Sequence, residues 1–421
     1  MKRKIVYVLS FSTILILLII LLVPKKEETF NVESKAIKKE NIISIMLETD
    51  EGSQEYTSSS SNTWPTNGYK FNKERSGCEN GSILSWDDTQ KSVIMSGDLS
   101  DKCYVYFDVL VPTIADYCTS GTSLATCIKN FGNQGSDVSS IYIHNSTLAN
   151  GANDNSYRYA GASDQVNNFI CFGSTTSPCP ENNLYRIIGV IDDKVKLIKY
   201  DYMTTDELGT DGDYYGTYSF DVTTYKGNNY ANIASYYWNY NATNSGVNTW
   251  STSLLNITNL NTNFINYLGS DWSNKISMTT WKVAGNSWNN IAKSVPSAVY
   301  QNEIESNSTS TVVNAKIGLM YVSDYYYSAY PSAWLLNGKS NDMMEDYRSV
   351  TNNNWMYMGL NEWTITPMID QSNVAFVVSD DGSIIYFDVG TDLVERACFN
   401  LESSVTYNSG TGTINDPILI N

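Results

Sequence analysis

The sequence predicts an α+β chain in which a small all-β sandwich precedes a larger mixed domain, with a transmembrane helix at the N-terminus. Three observations predict this. Short β-branched and aromatic runs alternate with Gly, Asn, Ser and Asp turns over residues 41–110 and resume from 157. Between them and the final strands, Leu254, Ile257, Leu260, Phe264 and Leu268 recur at three- and four-residue steps, a helical period. Residues 5–23 carry no charge and follow Lys2-Arg3-Lys4, which is length enough to cross a hydrocarbon layer of about 30 Å at about 1.5 Å per residue.

At 421 residues the chain has room for two or three domains. A hydrophobic content of 42% excludes a wholly disordered polymer. The net charge of -17 argues against nucleic acid or an anionic lipid surface as partner, because phosphate binding needs clustered Lys and Arg. Only 17% of residues are charged, so Asn, Ser, Thr and many of the 31 Tyr must cover a wet, hydrogen-bonding surface. Leu22-Val23-Pro24-Lys25-Lys26 ends the apolar run without a small-residue cleavage site, so an uncleaved anchor is expected rather than a signal peptide.

The seven cysteines place the bulk of the chain outside the cell. Cys78 with Cys103, Cys118 with Cys127, and Cys171 with Cys179 each bracket a polar loop and read as disulfides; Cys398 is left over. A zinc site is the competing reading, but it favours closer Cys pairs and histidine, and the single histidine, His144, reads as an ordinary loop residue.

In chain order, residues 29–40 form a polar, Lys-rich spacer. Strands are expected over 42–47, 63–71, 82–86, 91–95 and 103–110. Val111-Pro112 marks a boundary, and residues 111–155 read as a disulfide-clipped connector with a short helix over 123–131. Strands over 184–191 and 194–200 form a hairpin around Asp192-Asp193. A helix over 251–268 ends at Gly269, a second lies around 297–305 beside Pro296, and 316–322 reads as a strand. Residues 374–378 and 384–387 flank Asp380-Asp381-Gly382 as a hairpin, and 393–401 returns as a partly buried strand that must find a partner for Arg396.

Gly359-Leu360-Asn361-Glu362-Trp363-Thr364 resembles the G-N-V-x-E-W-T signature of the formylglycine-generating-enzyme branch of the C-type-lectin-like fold. Arg396-Ala397-Cys398-Phe399 resembles its closing R-x-x-F strand, and the order of these motifs is similar to that of uncharacterised bacterial surface domains assigned to that fold. The resemblance runs from about Ser156 to Leu401. It implies a C-terminal C-type-lectin-like domain, which with the patterns above gives the scheme 1–28 membrane anchor, 29–40 spacer, 41–110 β-sandwich stalk, 111–155 connector, 156–421 lectin-like domain.

Three candidate sites compete. The first is the shelf of Asn361, Glu362, Trp363 and Arg396, where the resemblance implies bracing of the core for Glu362, Trp363 and Arg396 and ligand contact for Asn361. The second is Asp206, Asp211, Asp213 and Asp221 on a Gly-bent loop, a Ca²⁺ candidate by residue type without the EF-hand spacing; a plain acidic loop is the alternative. The third is the aromatic group Tyr325, Tyr326, Tyr327, Tyr330 and Trp334, extended by Tyr236, Tyr237 and Trp238, whose rings suit sugars or peptide backbones when exposed, with roughly half expected to pack inward as core.

Catalysis finds little sequence support. The resembling enzymes use two nearby copper-holding cysteines, whereas only Cys398 lies in the matching strand, and no Gly-rich phosphate loop or nucleophile elbow occurs. The sequence therefore points to a membrane-anchored extracellular protein that binds a glycan or protein without transforming it and needs no cofactor. An exported enzyme of the formylglycine-generating type, a carboxylate-based hydrolase, and a structural coat protein are the alternatives.

Overall fold

The computed structural model describes residues 34–50, 52–61, 63–65, 68–217, 233–240, 246–305, 311–334 and 354–421. The proposed anchor over 1–28 lies outside them, and among the described residues no helix is long and apolar enough to cross a membrane. The chain divides into two compact units, Met1–Val111 and Pro112–Asn421.

In the first unit, a four-stranded sheet runs in the order Tyr56–Ser58, Ile42–Glu48, Cys103–Val109, Tyr69–Cys78, with Ile42–Glu48 and Cys103–Val109 parallel. A three-stranded sheet places Ser92–Ser96 between Ser34–Ala36 and Ile83–Asp87. Ile45, Val105 and Phe107 from one sheet and Leu84, Val93 and Met95 from the other share one core. Two expectations change here. Ser34–Ala36 pairs with Ser92–Ser96, so the end of the 29–40 spacer belongs to the sheet. The strand expected over 63–71 instead spans Tyr69–Cys78, which brings Cys78 opposite Cys103 in register, where a disulfide joins them.

The second unit is built on a seven-stranded sheet that includes, in order, Ile317–Gly318, Cys398–Asn400, Lys194–Lys199, Leu184–Ile191, Tyr157–Tyr159 and Ile141–Ile143. The expected hairpin is its centre, turned by Asp192 and Asp193 with φ of 50° and 60°. A separate three-stranded sheet holds Glu362–Pro367, Val374–Val378 and Ile384–Asp388, with the second hairpin in the expected place. The 393–401 stretch ties the two sheets together: Val394 bridges to Glu362, and Cys398–Asn400 then enters the larger sheet.

The connector expected over 111–155 is instead part of this unit's core. Leu124, Cys127, Ile128 and Phe131 of the helix Leu124–Gly132 are buried in it, as is Ile114, and disulfides join Cys118 to Cys127 and Cys171 to Cys179. The helix expected over 251–268 is wound differently. Leu255–Phe264 is a π-helix and Ile265–Ser273 an α-helix, with Gly269 a kink (φ 71°) rather than a terminus. Wider winding aligns Leu255, Leu260 and Phe264 inward, so Ile257, expected in the core, is 46% exposed. Of the strand expected over 316–322 only Ile317–Gly318 forms; Val322–Tyr327 is helical.

Candidate functional site

Lysine or arginine inside an apolar strand requires a partner, because an unpaired buried charge is expensive. Two such residues, Arg158 and Lys196, face each other across the larger sheet. Arg158 pairs in register with Gly189, Gly189 with Lys196, and Lys196 with Asn400, so the four form one row. A side chain at Gly189 would collide with the Tyr157 carbonyl, 2.2 Å from an added Cβ. Glycine therefore keeps the strands close there and leaves the row open between the two cations.

Asp324 joins them. It stands in the first turn of the helix Val322–Tyr327, where its carboxylate accepts the Tyr321 N–H at 3.0 Å. Arg158 Nη1 donates to Oδ1 at 3.3 Å and Lys196 Nζ to Oδ2 at 2.5 Å, with all three side chains buried. Arg158 also donates to Asp154 at 2.9 Å and Ser156 at 2.8 Å. Burial pushes the Asp154 carboxyl up, but Arg158 and the Ser156 hydrogen bonds outweigh it and hold the group well below the usual carboxylate range. Lys196 Nζ lies 5.5 Å from the Trp281 ring centre and 4.7 Å from that of Tyr321, a cation between two aromatic faces.

These residues form part of the lining of a pocket of about 510 Å³, within the range of small-molecule sites. Four cations (Arg158, Lys194, Lys196, Lys282) and four carboxylates (Asp154, Asp192, Glu305, Asp324) surround it, together with Trp281, Tyr300 and Tyr321. Charge balance here contrasts with -17 for the whole chain. Ser323, 1% exposed, also lines the pocket, and its side chain hydrogen-bonds the Glu303 carboxyl. Behind it, Glu303 accepts the Ser323 N–H at 2.9 Å and the Thr366 hydroxyl. Burial raises the Glu303 carboxyl to about 7 even though these donors pull it down.

The sequence candidates fare differently. Glu362 and Arg396 meet as a buried bidentate pair, Nε to Oε1 at 2.8 Å and Nη2 to Oε2 at 2.9 Å, and Trp363 is buried with its Nε1 donating to the Tyr236 carbonyl at 3.0 Å. Asn361 is half-buried and its side-chain oxygen accepts the Asp380 N–H at 3.1 Å, bracing the hairpin turn.

The outward aromatic face expected at 325–334 is not what the fold provides. Tyr325, Tyr326, Tyr327 and Trp334 are at most 2% exposed, because the helix Val322–Tyr327 and the turn Pro331–Trp334 pack into the core. Tyr325 donates to the Gly382 carbonyl at 2.7 Å, Tyr326 to that of Ile291 at 3.2 Å, and Trp334 Nε1 to that of Tyr326 at 3.0 Å. Tyr330 is half-buried and donates to Gln165. Tyr236 and Trp238 are buried too, whereas Tyr237 meets the exposed Tyr215 edge-on and the exposed Tyr240 at a tilt, at 5.3 and 4.8 Å between ring centres.

The acidic loop is spent on structure. Both Asp213 oxygens accept backbone N–H groups, Oδ2 from Leu254 and Leu255 at 2.8 and 3.0 Å and Oδ1 from Tyr240 at 3.2 Å, so it caps the following helix. Asp211 is exposed and accepts from Asn263 at 2.6 Å, Asp206 is exposed, and Asp221 lies outside the described residues. Among the described residues, no group of three or more His, Cys, Asp or Glu is arranged to hold a metal ion. Cys398 is buried with its thiol raised to about 12, chiefly by burial, and the other six cysteines are in disulfides, so the two-cysteine pair of the resembling enzymes does not form.

Sequence reasoning missed the pocket. Its one visible signal was a cation inside each of two apolar strands, Tyr-Arg-Tyr at 157–159 and Val-Lys-Leu at 195–197. No protein-family model, no curated protein and no solved structure matches this chain.

Proposed function

We propose that the protein is an exported, membrane-anchored surface protein that binds a small, uncharged polar ligand, a saccharide, in the pocket between Arg158, Lys196, Trp281 and Ser323. The observation that carries this is a cavity of about 510 Å³ lined by balanced cations and carboxylates, by Ser323, and by the rings of Trp281, Tyr300 and Tyr321. Sugars present hydroxyls that both donate and accept and C–H faces that lie on aromatic rings, and a charge-balanced wall matches a neutral ligand. The three disulfides support an extracytoplasmic location, and the lectin-like resemblance of 156–401 belongs to the same reading. A glycan array probed with the full chain tests it: the reading expects retained soluble saccharides, and an array blank across neutral glycans sinks it.

One observation favours a second reading, acyl hydrolysis. Glu303, with its carboxyl near 7, sits behind the Ser323 hydroxyl and is suited to take a proton at neutral pH. Covalent labelling of wild type but not Ser323→Ala by a fluorophosphonate probe would support it, and an unlabelled wild type would remove it.

A further inference from the structure

The loop from His144 to Ser156 carries Asp154 to the pocket wall and is closed over the only imidazole in the chain. His144 is fully buried. Its Nδ1 accepts the Ala152 N–H at 3.0 Å, which leaves the proton of the neutral ring on Nε2, an atom with no partner among the described residues. The backbone closes the same loop, with Asn155 N–H to the His144 carbonyl at 3.0 Å and His144 N–H to that of Ser156 at 2.8 Å. Asn150, Asn153 and Asn155 adopt left-handed φ of 57° to 59°, an arrangement that persists only where contacts enforce it. Those contacts are Leu148 and Ala152 against Tyr300, Tyr327 and Trp334.

We propose that protonation of His144 releases this loop and, with it, the hold of Asp154 on Arg158, so that the pocket loses its wall in acid. An imidazolium carries N–H groups on both nitrogens. Its new Nδ1–H would point at the Ala152 N–H, replacing a hydrogen bond by two opposed donors. The groups facing the ring oppose the charge as well. Arg158 is the nearest cation, with its guanidinium 5.2 Å from the Tyr327 ring centre, and the His144 ring centre lies 4.6 Å from the same ring. Tyr327 and Tyr300 present neutral phenols, and Trp334 an indole face at 5.3 Å. Among the described residues Asp154 is the one favourable charge, but Arg158 and the Tyr300 hydroxyl, at 2.9 and 2.8 Å, already occupy it. Burial, then Arg158, hold the imidazole well below its usual 6.5, while the released loop titrates normally. The sign follows: the closed form binds fewer protons than the open one, so opening grows about tenfold per pH unit below about 6.5.

The consequence for binding rests on the pocket reading above; the loop's release does not. A single histidine gives a single imidazole signal, so the full chain labelled with ¹³C-histidine is titrated by NMR from pH 8 to 5, alongside hydrogen exchange of residues 145–156 corrected for intrinsic rate. The expected result is a closed-state signal that stays neutral throughout, a second protonated signal growing below about pH 6.5, and loop protection falling about tenfold per pH unit while Lys194–Lys199 stays protected. Titration of the closed-state signal near 6.5 with protection unchanged overturns the proposal. His144→Gln, neutral at every pH, keeps the loop protected at pH 5; should that variant not fold, the wild-type titration decides alone. No ligand enters either measurement, so failure here is separable from failure of the binding reading.

Discussion

Arg396 grips Glu362 through two parallel hydrogen bonds, at 2.8 and 2.9 Å, with both side chains buried between the strand Glu362–Pro367 and the return from Leu393. Removing one partner of such a pair leaves the other charge uncompensated and costs about 3–5 kcal/mol. Glu362→Gln is therefore expected to lower the urea midpoint of the second unit without changing the slope of its unfolding transition. An unchanged midpoint would show that the pair does not hold this part of the fold.

Tyr326 and Tyr327, read from sequence as binding residues, are structural. Each large-to-small change in a packed aromatic site costs about 3–5 kcal/mol. Tyr326→Ala with Tyr327→Ala should unfold the second unit or drop its melting temperature sharply, measured by calorimetry. A folded double variant with lost glycan binding would restore the outward face.

Glu303 gives the second unit a pH dependence of known sign. Its folded value of about 7 stands above the usual 4.5, so its contribution is fully present below about 4.5 and is lost as pH rises through about 7. The difference in unfolding free energy between wild type and Glu303→Gln should shift against wild type by on the order of 3 kcal/mol between those limits. A difference that is flat with pH contradicts the assignment.

In the first unit the Cys78–Cys103 link staples a small core. Replacing both cysteines with Ala should cost about 2–4 kcal/mol, seen as an earlier transition for this unit while the second unit's transition stays put.

What was legible in the sequence was local. Asp380-Asp381-Gly382 marked the hairpin over 374–388 because turn residues act over four positions, and the three disulfides followed from cysteines close in sequence. The Glu362–Arg396 pair was legible because a charge in an apolar run needs a partner nearby. The pocket was not: Lys196 and Asp324 stand 128 residues apart, and nothing in either neighbourhood names the other. The tyrosine run misled because exposed rings and helix-packed rings are written with the same letters. Ile257 misled because a three- and four-residue period assumes α-winding, and the chain there turns more widely.

The ligand is proposed to sit in the pocket lined by Arg158, Lys196, Thr280 and Trp281. Thr280 lines the pocket and is exposed, so Thr280→Trp adds bulk to the cavity at a position outside the core. Saccharide titration by calorimetry, using whichever glycan the array returns, should show at least about a tenfold weaker Kd for Thr280→Trp with an unchanged melting temperature. Equal affinity in the two proteins would place the ligand elsewhere and contradict the account.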